Sequence, residues 1–158
     1  MKKNETSAAG IEQIHALCEQ HLDVAWLWPR VPQGEDLMRQ CFERVIETIE
    51  KYPAQAFVFT RSTAWSFYIV EQRHPVLFAR IKDYVARGKI ALCGGQWVEP
   101  DHAIPGGEAM VRQSALGQWY FQKTFGKIAK VCWAPDTFAH AGTLPQILRK
   151  AGLEGYRL

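Results

Sequence analysis

The sequence predicts an α/β chain in which parallel strands alternate with helices. From Ile11 onward, short apolar runs alternate with longer amphipathic ones. The short runs are apolar on both faces, as strands are when helices cover the sheet on both sides. Ionisable residues fall immediately after the short runs, where parallel α/β folds gather their ligands.

The elements follow in order. Residues 1–10 are polar and read as a flexible tail, leaving 11–158 as one domain. Ile14–Glu19 reads as a first strand ending at Gln20-His21. Glu35–Tyr52 reads as a helix, since Leu37, Cys41, Val45 and Ile49 recur at helical spacing and Pro53 stops it. Ala56–Thr60 is a second strand. Thr63–Arg73 is a helix with Ser62 or Thr63 as its cap. Pro75–Arg87 is another, with Pro at its start and Gly88 at its end. Ile90–Val98 is a third strand, Gly107–Thr124 a helix closed by Gly126, and Ile128–Trp133 a fourth strand. Leu144–Ala151 is a helix with Gly152 at its C-cap. Gly155–Leu158 begins a fifth strand.

Bulk properties narrow the function classes. The chain has 158 residues, 47% hydrophobic and 22% charged, with a net charge of +3. That is enough chain to bury a core without disulfides. The basic residues are scattered, which argues against nucleic acid and against a membrane surface. Cys18, Cys41, Cys93 and Cys132 form no CxxC pair. Cys18, Cys93 and Cys132 lie in apolar runs and read as small buried hydrophobes, which points to a reducing compartment. The N-terminus lacks an apolar signal region, so the expected location is cytoplasmic. No glycine-rich phosphate loop follows a strand, and no serine sits in a GxSxG elbow.

Four segments carry candidate chemistry. His21-Leu22-Asp23 puts an imidazole and a carboxylate at i and i+2 on one side of a strand end, where they can share a divalent ion. The spacing alone fits better a loop histidine beside an unrelated aspartate, since H-x-D is common. Trp26 and Trp28 follow; Trp26 suits a sugar-pocket wall and Trp28 suits packing. Gly94-Gly95 marks a bulge or close backbone approach. After it, Glu99 and Asp101 suit either hydrogen bonds to sugar hydroxyls or a solvated loop. Asp136 ends an apolar strand after Pro135. It stands too far before Leu144 to cap the next helix, which favours a site role. Arg61, after the second strand, is expected to face the same mouth.

Taken together, His21-Leu22-Asp23-Val24-Ala25-Trp26-Leu27-Trp28, Gly94-Gly95-Gln96-Trp97-Val98-Glu99-Pro100-Asp101, Val111-Arg112-Gln113 with Gly117, and Pro135-Asp136-Thr137-Phe138 with Leu144-Pro145-Gln146 resemble glycoside hydrolase family 38, the α-mannosidases. The resemblance implies the N-terminal part of a (β/α)₇ barrel, left incomplete by this chain. It implies a retaining hydrolase of α-mannosides or mannose-containing glycans. It further implies that His21, Asp23 and Asp136 bind zinc, with cobalt or manganese as alternatives, that Asp136 is the nucleophile, and that Trp26 lies under the sugar. Asp101 is the companion substrate-binding candidate. The family's last metal-binding histidine and its acid/base carboxylate lie beyond the matched segments. The isolated chain is therefore expected to be inactive, and to associate with itself or with the missing remainder of the barrel. Ala139-His140 departs from the family's usual Gly-Tyr. A metal-dependent polysaccharide deacetylase is the alternative enzyme, weakened because the five histidines offer no i, i+4 pair. A non-catalytic fragment that needs a partner chain is the third reading.

Overall fold

A computed structural model describes residues 17–54 and 57–157. The predicted tail at 1–10 and the start of the first strand lie outside the described residues. Among the described residues five strands and five α-helices follow one another, alternating except that α3 follows α2: β1 Cys18–Glu19, α1 Glu35–Lys51, β2 Phe59–Thr63, α2 Ala64–Arg73, α3 Pro75–Ala86, β3 Ile90–Gln96, α4 Gly107–Phe125, β4 Val131–Trp133, α5 Leu144–Lys150 and β5 Gly155–Arg157. All strand pairs are parallel, β1-β2-β3 in one sheet and β4-β5 in another. An isolated parallel bridge, His102 with His140, links the loops that follow β3 and β4.

The helices form where their apolar stripes predict. In α1, Met38, Cys41, Phe42, Val45, Ile46 and Ile49 are buried on one face. Pro75 opens α3, and Gly126, at φ +72°, closes α4 in the left-handed conformation that spares glycine a Cβ clash. The core between helices and sheet is aromatic. Phe67 of α2 stands edge-on to Phe121 and Phe125 of α4 at 5.7 and 5.4 Å. Among the described residues no helix is long and apolar enough to cross a membrane.

The structure shifts β2 toward the C-terminus, from the expected 56–60 to Phe59–Thr63. Phe-Thr-Arg-Ser-Thr is buried throughout yet mostly polar, so an apolar-run criterion stops too early. Ser62 and Thr63 are consequently strand residues. Neither caps α2 with its side chain; the Thr63 hydroxyl instead meets the Ser66 hydroxyl. Arg61 moves from the expected strand end into the strand interior. It is 1% exposed and does not face the mouth. Its guanidinium donates to the backbone carbonyls of Gln20 and Leu22, to Ser66 Oγ and toward the Met38 sulfur. A second correction concerns Cys18, which is exposed, whereas Cys41, Cys93 and Cys132 are buried as free thiols. Among the described residues the first sheet ends at β1.

Gly94 and Gly95 make the bulge expected of them. Arg61 pairs with Leu92 and Thr63 with Gln96, so β3 spends two extra residues between those rungs. Both glycines take positive φ, +78° and +73°. This extra length turns the chain after Gln96 toward the carboxyl ends of β1 and β4.

Candidate metal centre

Three strand ends converge on one cleft. β1 delivers His21 and Asp23, the segment after β3 delivers Glu99 and Asp101, and β4 delivers Asp136. The cleft holds about 260 Å³. His21 Nε2 lies 3.4 Å from Asp23 Oδ1 and 3.5 Å from Asp136 Oδ2. One ligand atom from each of the three residues falls within 4.8 Å of the others. Ligands around a tetrahedral ion at bond lengths of about 2.0–2.1 Å sit about 3.3 Å from one another. The two measured separations are close to that figure, and too long for good hydrogen bonds. His21 Nε2 is buried and has no hydrogen-bond partner. A buried nitrogen aimed between two carboxylates, with no proton partner, is a donor set that fits a divalent ion. One nitrogen and two carboxylate oxygens suit zinc better than calcium or magnesium, which favour all-oxygen shells.

Glu99 stands behind these groups. Its Oε2 lies 3.2 Å from His21 Nδ1, and its Oε1 accepts the Asp136 amide at 2.9 Å. Its side chain is 10% exposed against 53% for Asp136. Asp136 is therefore the carboxylate that an incoming ligand can reach. Burial raises the Glu99 carboxyl above its ordinary value, against the pull of the Asp136 amide and His21. Burial likewise raises Glu19, whose Oε1 has no hydrogen-bond partner.

Residues 12–157 match the family described as "Glycosyl hydrolases family 38 N-terminal domain". The chain belongs to glycosyl hydrolase family 38. Alpha-mannosidase 2C1 of Homo sapiens is 38% identical over 146 residues, covering 90% of this chain and 14% of that protein. Alpha-mannosidase G of Dictyostelium discoideum is 36% identical over 144 residues, covering 91% of this chain and 13% of that protein. The chain thus spans about one seventh of the length of these relatives. In fold it is similar to an alpha-mannosidase from Enterococcus faecalis V583, with a TM-score of 0.79 at 23% identity over 89% of this chain and 16% of that one. A 4-alpha-glucanotransferase from Thermococcus litoralis shares the fold at a TM-score of 0.62 and 18% identity, covering 77% of this chain and 20% of that one.

Within this family 38 domain, the remaining candidates separate. Trp26 is 68% exposed and lines the cleft beside Asp23. Trp28 is half-buried and turns its indole N–H inward. Phe138, which sequence reasoning did not single out, is exposed at the same mouth. Asp101 lines the cleft too, but its Oδ1 accepts the amides of Ala103 and Ile104. Those two amides hold its carboxyl below the ordinary range. Glu99 and Asp101 both line the cleft but are engaged differently. Glu99 is engaged inward, and Asp101 shapes its own loop. His140 takes no part in this cleft; it packs 5.7 Å from the His102 ring and 5.5 Å from the Tyr156 ring.

Proposed function

We propose that this chain is the nucleophile-bearing, metal-binding part of a retaining α-mannosidase whose parent hydrolyses α-mannosidic bonds in glycans or mannosides. The observation that carries the reading is His21 Nε2, buried, without a hydrogen bond, and 3.4 and 3.5 Å from the carboxylates of Asp23 and Asp136. The alpha-mannosidase names of the relatives support the substrate class.

In this reading His21, Asp23 and Asp136 hold zinc, with cobalt or manganese as substitutes. The bound ion would polarise and orient sugar hydroxyls. Asp136, the exposed carboxylate, attacks the anomeric carbon and carries the glycosyl group. A second carboxylate about 5–5.5 Å away protonates the departing oxygen and then activates water. Trp26 stacks under the apolar face of the sugar, and the free oxygen of Asp101 accepts from a hydroxyl. The five strands belong to a (β/α)₇ barrel. In a parent of the relatives' length, its remaining units would bring the acid/base carboxylate and a fourth ligand.

The test begins with metal binding. Titration of the metal-free chain with zinc is expected to give one site. Asp136→Asn and His21→Ala should each weaken it by more than the roughly 10–100-fold seen when a supporting residue is lost. Incubation of the zinc-loaded chain with a nitrophenyl α-mannoside is expected to give no turnover, because this reading places the acid/base carboxylate outside the matched segments. Robust turnover would sink the division of labour proposed here, and absence of zinc binding would sink the metal site.

A further inference from the structure

We infer that Glu99 is the positioning residue of this centre, holding its two arms in register through a single carboxylate. The inference rests on the metal reading above. His21 and Asp23 lie on the segment after β1, and Asp136 on the segment after β4; among the described residues the two strands lie in different sheets and are not paired. Glu99, on the segment after β3, stands between them. On the β1 side its Oε2 is buried 3.2 Å from His21 Nδ1, an ion-pair contact in which that oxygen has no aligned hydrogen bond. On the β4 side its Oε1 accepts the Asp136 amide at 2.9 Å and the Thr137 hydroxyl at 3.5 Å. The single Thr137 hydroxyl proton can turn instead to the Pro100 carbonyl at 3.4 Å, and either bond fastens the β4 arm to the same segment.

This arrangement decides which imidazole nitrogen is free. The nearer, more buried carboxylate beside Nδ1 favours the ring's single N–H there, against the pull of Asp23 and Asp136 on Nε2. Nε2 is the nitrogen that faces Asp23 and Asp136 without a hydrogen-bond partner. The same carboxylate fixes the Asp136 backbone, and with it the direction of Oδ2. Glu99 thus sets His21's tautomer and the Asp136 main chain together. With both oxygens turned inward and little exposure, it is poorly placed to touch substrate.

The deciding variant is Glu99→Gln. An amide has one accepting oxygen and one donating NH₂, so it can satisfy either the Asp136 amide or the His21 Nδ1–H, but not both. Competition with a chelating dye should show zinc affinity falling roughly 10–100-fold. The ¹⁵N spectrum of metal-free parent chain should show His21 as the Nδ1–H tautomer, and Glu99→Gln should shift it toward Nε2–H. A melting temperature close to the parent's would separate this from general loss of structure. If the variant does not fold, the parent's tautomer still decides: Nε2–H there overturns the proposal. Parent-like zinc affinity in a folded Glu99→Gln variant overturns it as well, while the metal reading stands. A parent chain that binds no zinc removes both.

Discussion

Gly94 shows how much of the site hangs on one backbone position. Its φ of +78° is a conformation that residues with a Cβ rarely hold, and a Cβ there would run into the Ser62 carbonyl of β2. Replacement by alanine must either strain the bulge or separate β2 from β3. Gly94→Ala is expected to cost about 3 kcal/mol or more, since it combines backbone strain with a steric clash. Urea unfolding would measure this, and an unchanged midpoint would refute it. The contrast is Gly142, where a Cβ meets nothing within 4 Å and φ lies outside the left-handed region; Gly142→Ala should be near neutral. At this scale the sequence is readable wherever the cause is local. Paired glycines in a strand announce a bulge, and His21-x-Asp23 announces two side chains on one side of a strand end. Glu99 is different, because the groups it touches arrive from β1 and β4. No spacing around position 99 encodes them, so it reads as a loop carboxylate until the strands are assembled.

At the scale of elements, β1 depends on its neighbour more than on itself. It is two residues long among the described residues, and its pairing is with β2 alone. Arg61 adds what the ladder lacks. Its guanidinium holds the carbonyls of Gln20 and Leu22, one on each side of His21. Arg61→Met keeps an apolar stem against Met38 but leaves those carbonyls without their donor, while Ser66 Oγ keeps the Thr63 hydroxyl. A buried acceptor stripped of its partner costs about 1–3 kcal/mol, so a total of about 3 kcal/mol is expected. The loss should be felt first at His21, as a broadened imidazole signal and weaker zinc binding, before the helices melt. Retained metal affinity in a folded Arg61→Met variant would contradict this. The helices were legible because amphipathic periodicity is a property of a continuous segment. β2 was misplaced because its buried residues are Thr, Arg, Ser and Thr, whose burial is permitted by hydrogen bonds to other elements and not by their own hydropathy.

Across the whole molecule, the two sheets meet at a polar junction that pH should loosen. His102 is fully buried there. Its Nδ1 lies 3.0 Å from the Tyr156 hydroxyl of β5, and its Nε2 lies 3.1 Å from Gln96 Oε1 of β3. Cys132 of β4 donates weakly to the same Gln96 oxygen at 3.8 Å. Burial, reinforced by the neighbouring His140 and opposed by Asp101, lowers His102 from 6.5 to about 4. Burial lifts the Tyr156 and Cys132 groups to about 12, so both stay neutral across the acid range. The folded chain therefore keeps His102 neutral where the unfolded chain would take up a proton. Its contribution to stability is complete above pH 6.5 and is lost as pH falls from 6.5 toward 4. The full shift corresponds to about 3 kcal/mol. Other acidic groups also change stability in this range, so the comparison has to be with a variant. His102→Gln keeps a donor and an acceptor at the junction but cannot charge. Urea unfolding at pH 7, 5.5 and 4.5 should show the parent losing more stability than His102→Gln on acidification. Parallel losses in the two proteins would mean that the junction does not sense pH through His102.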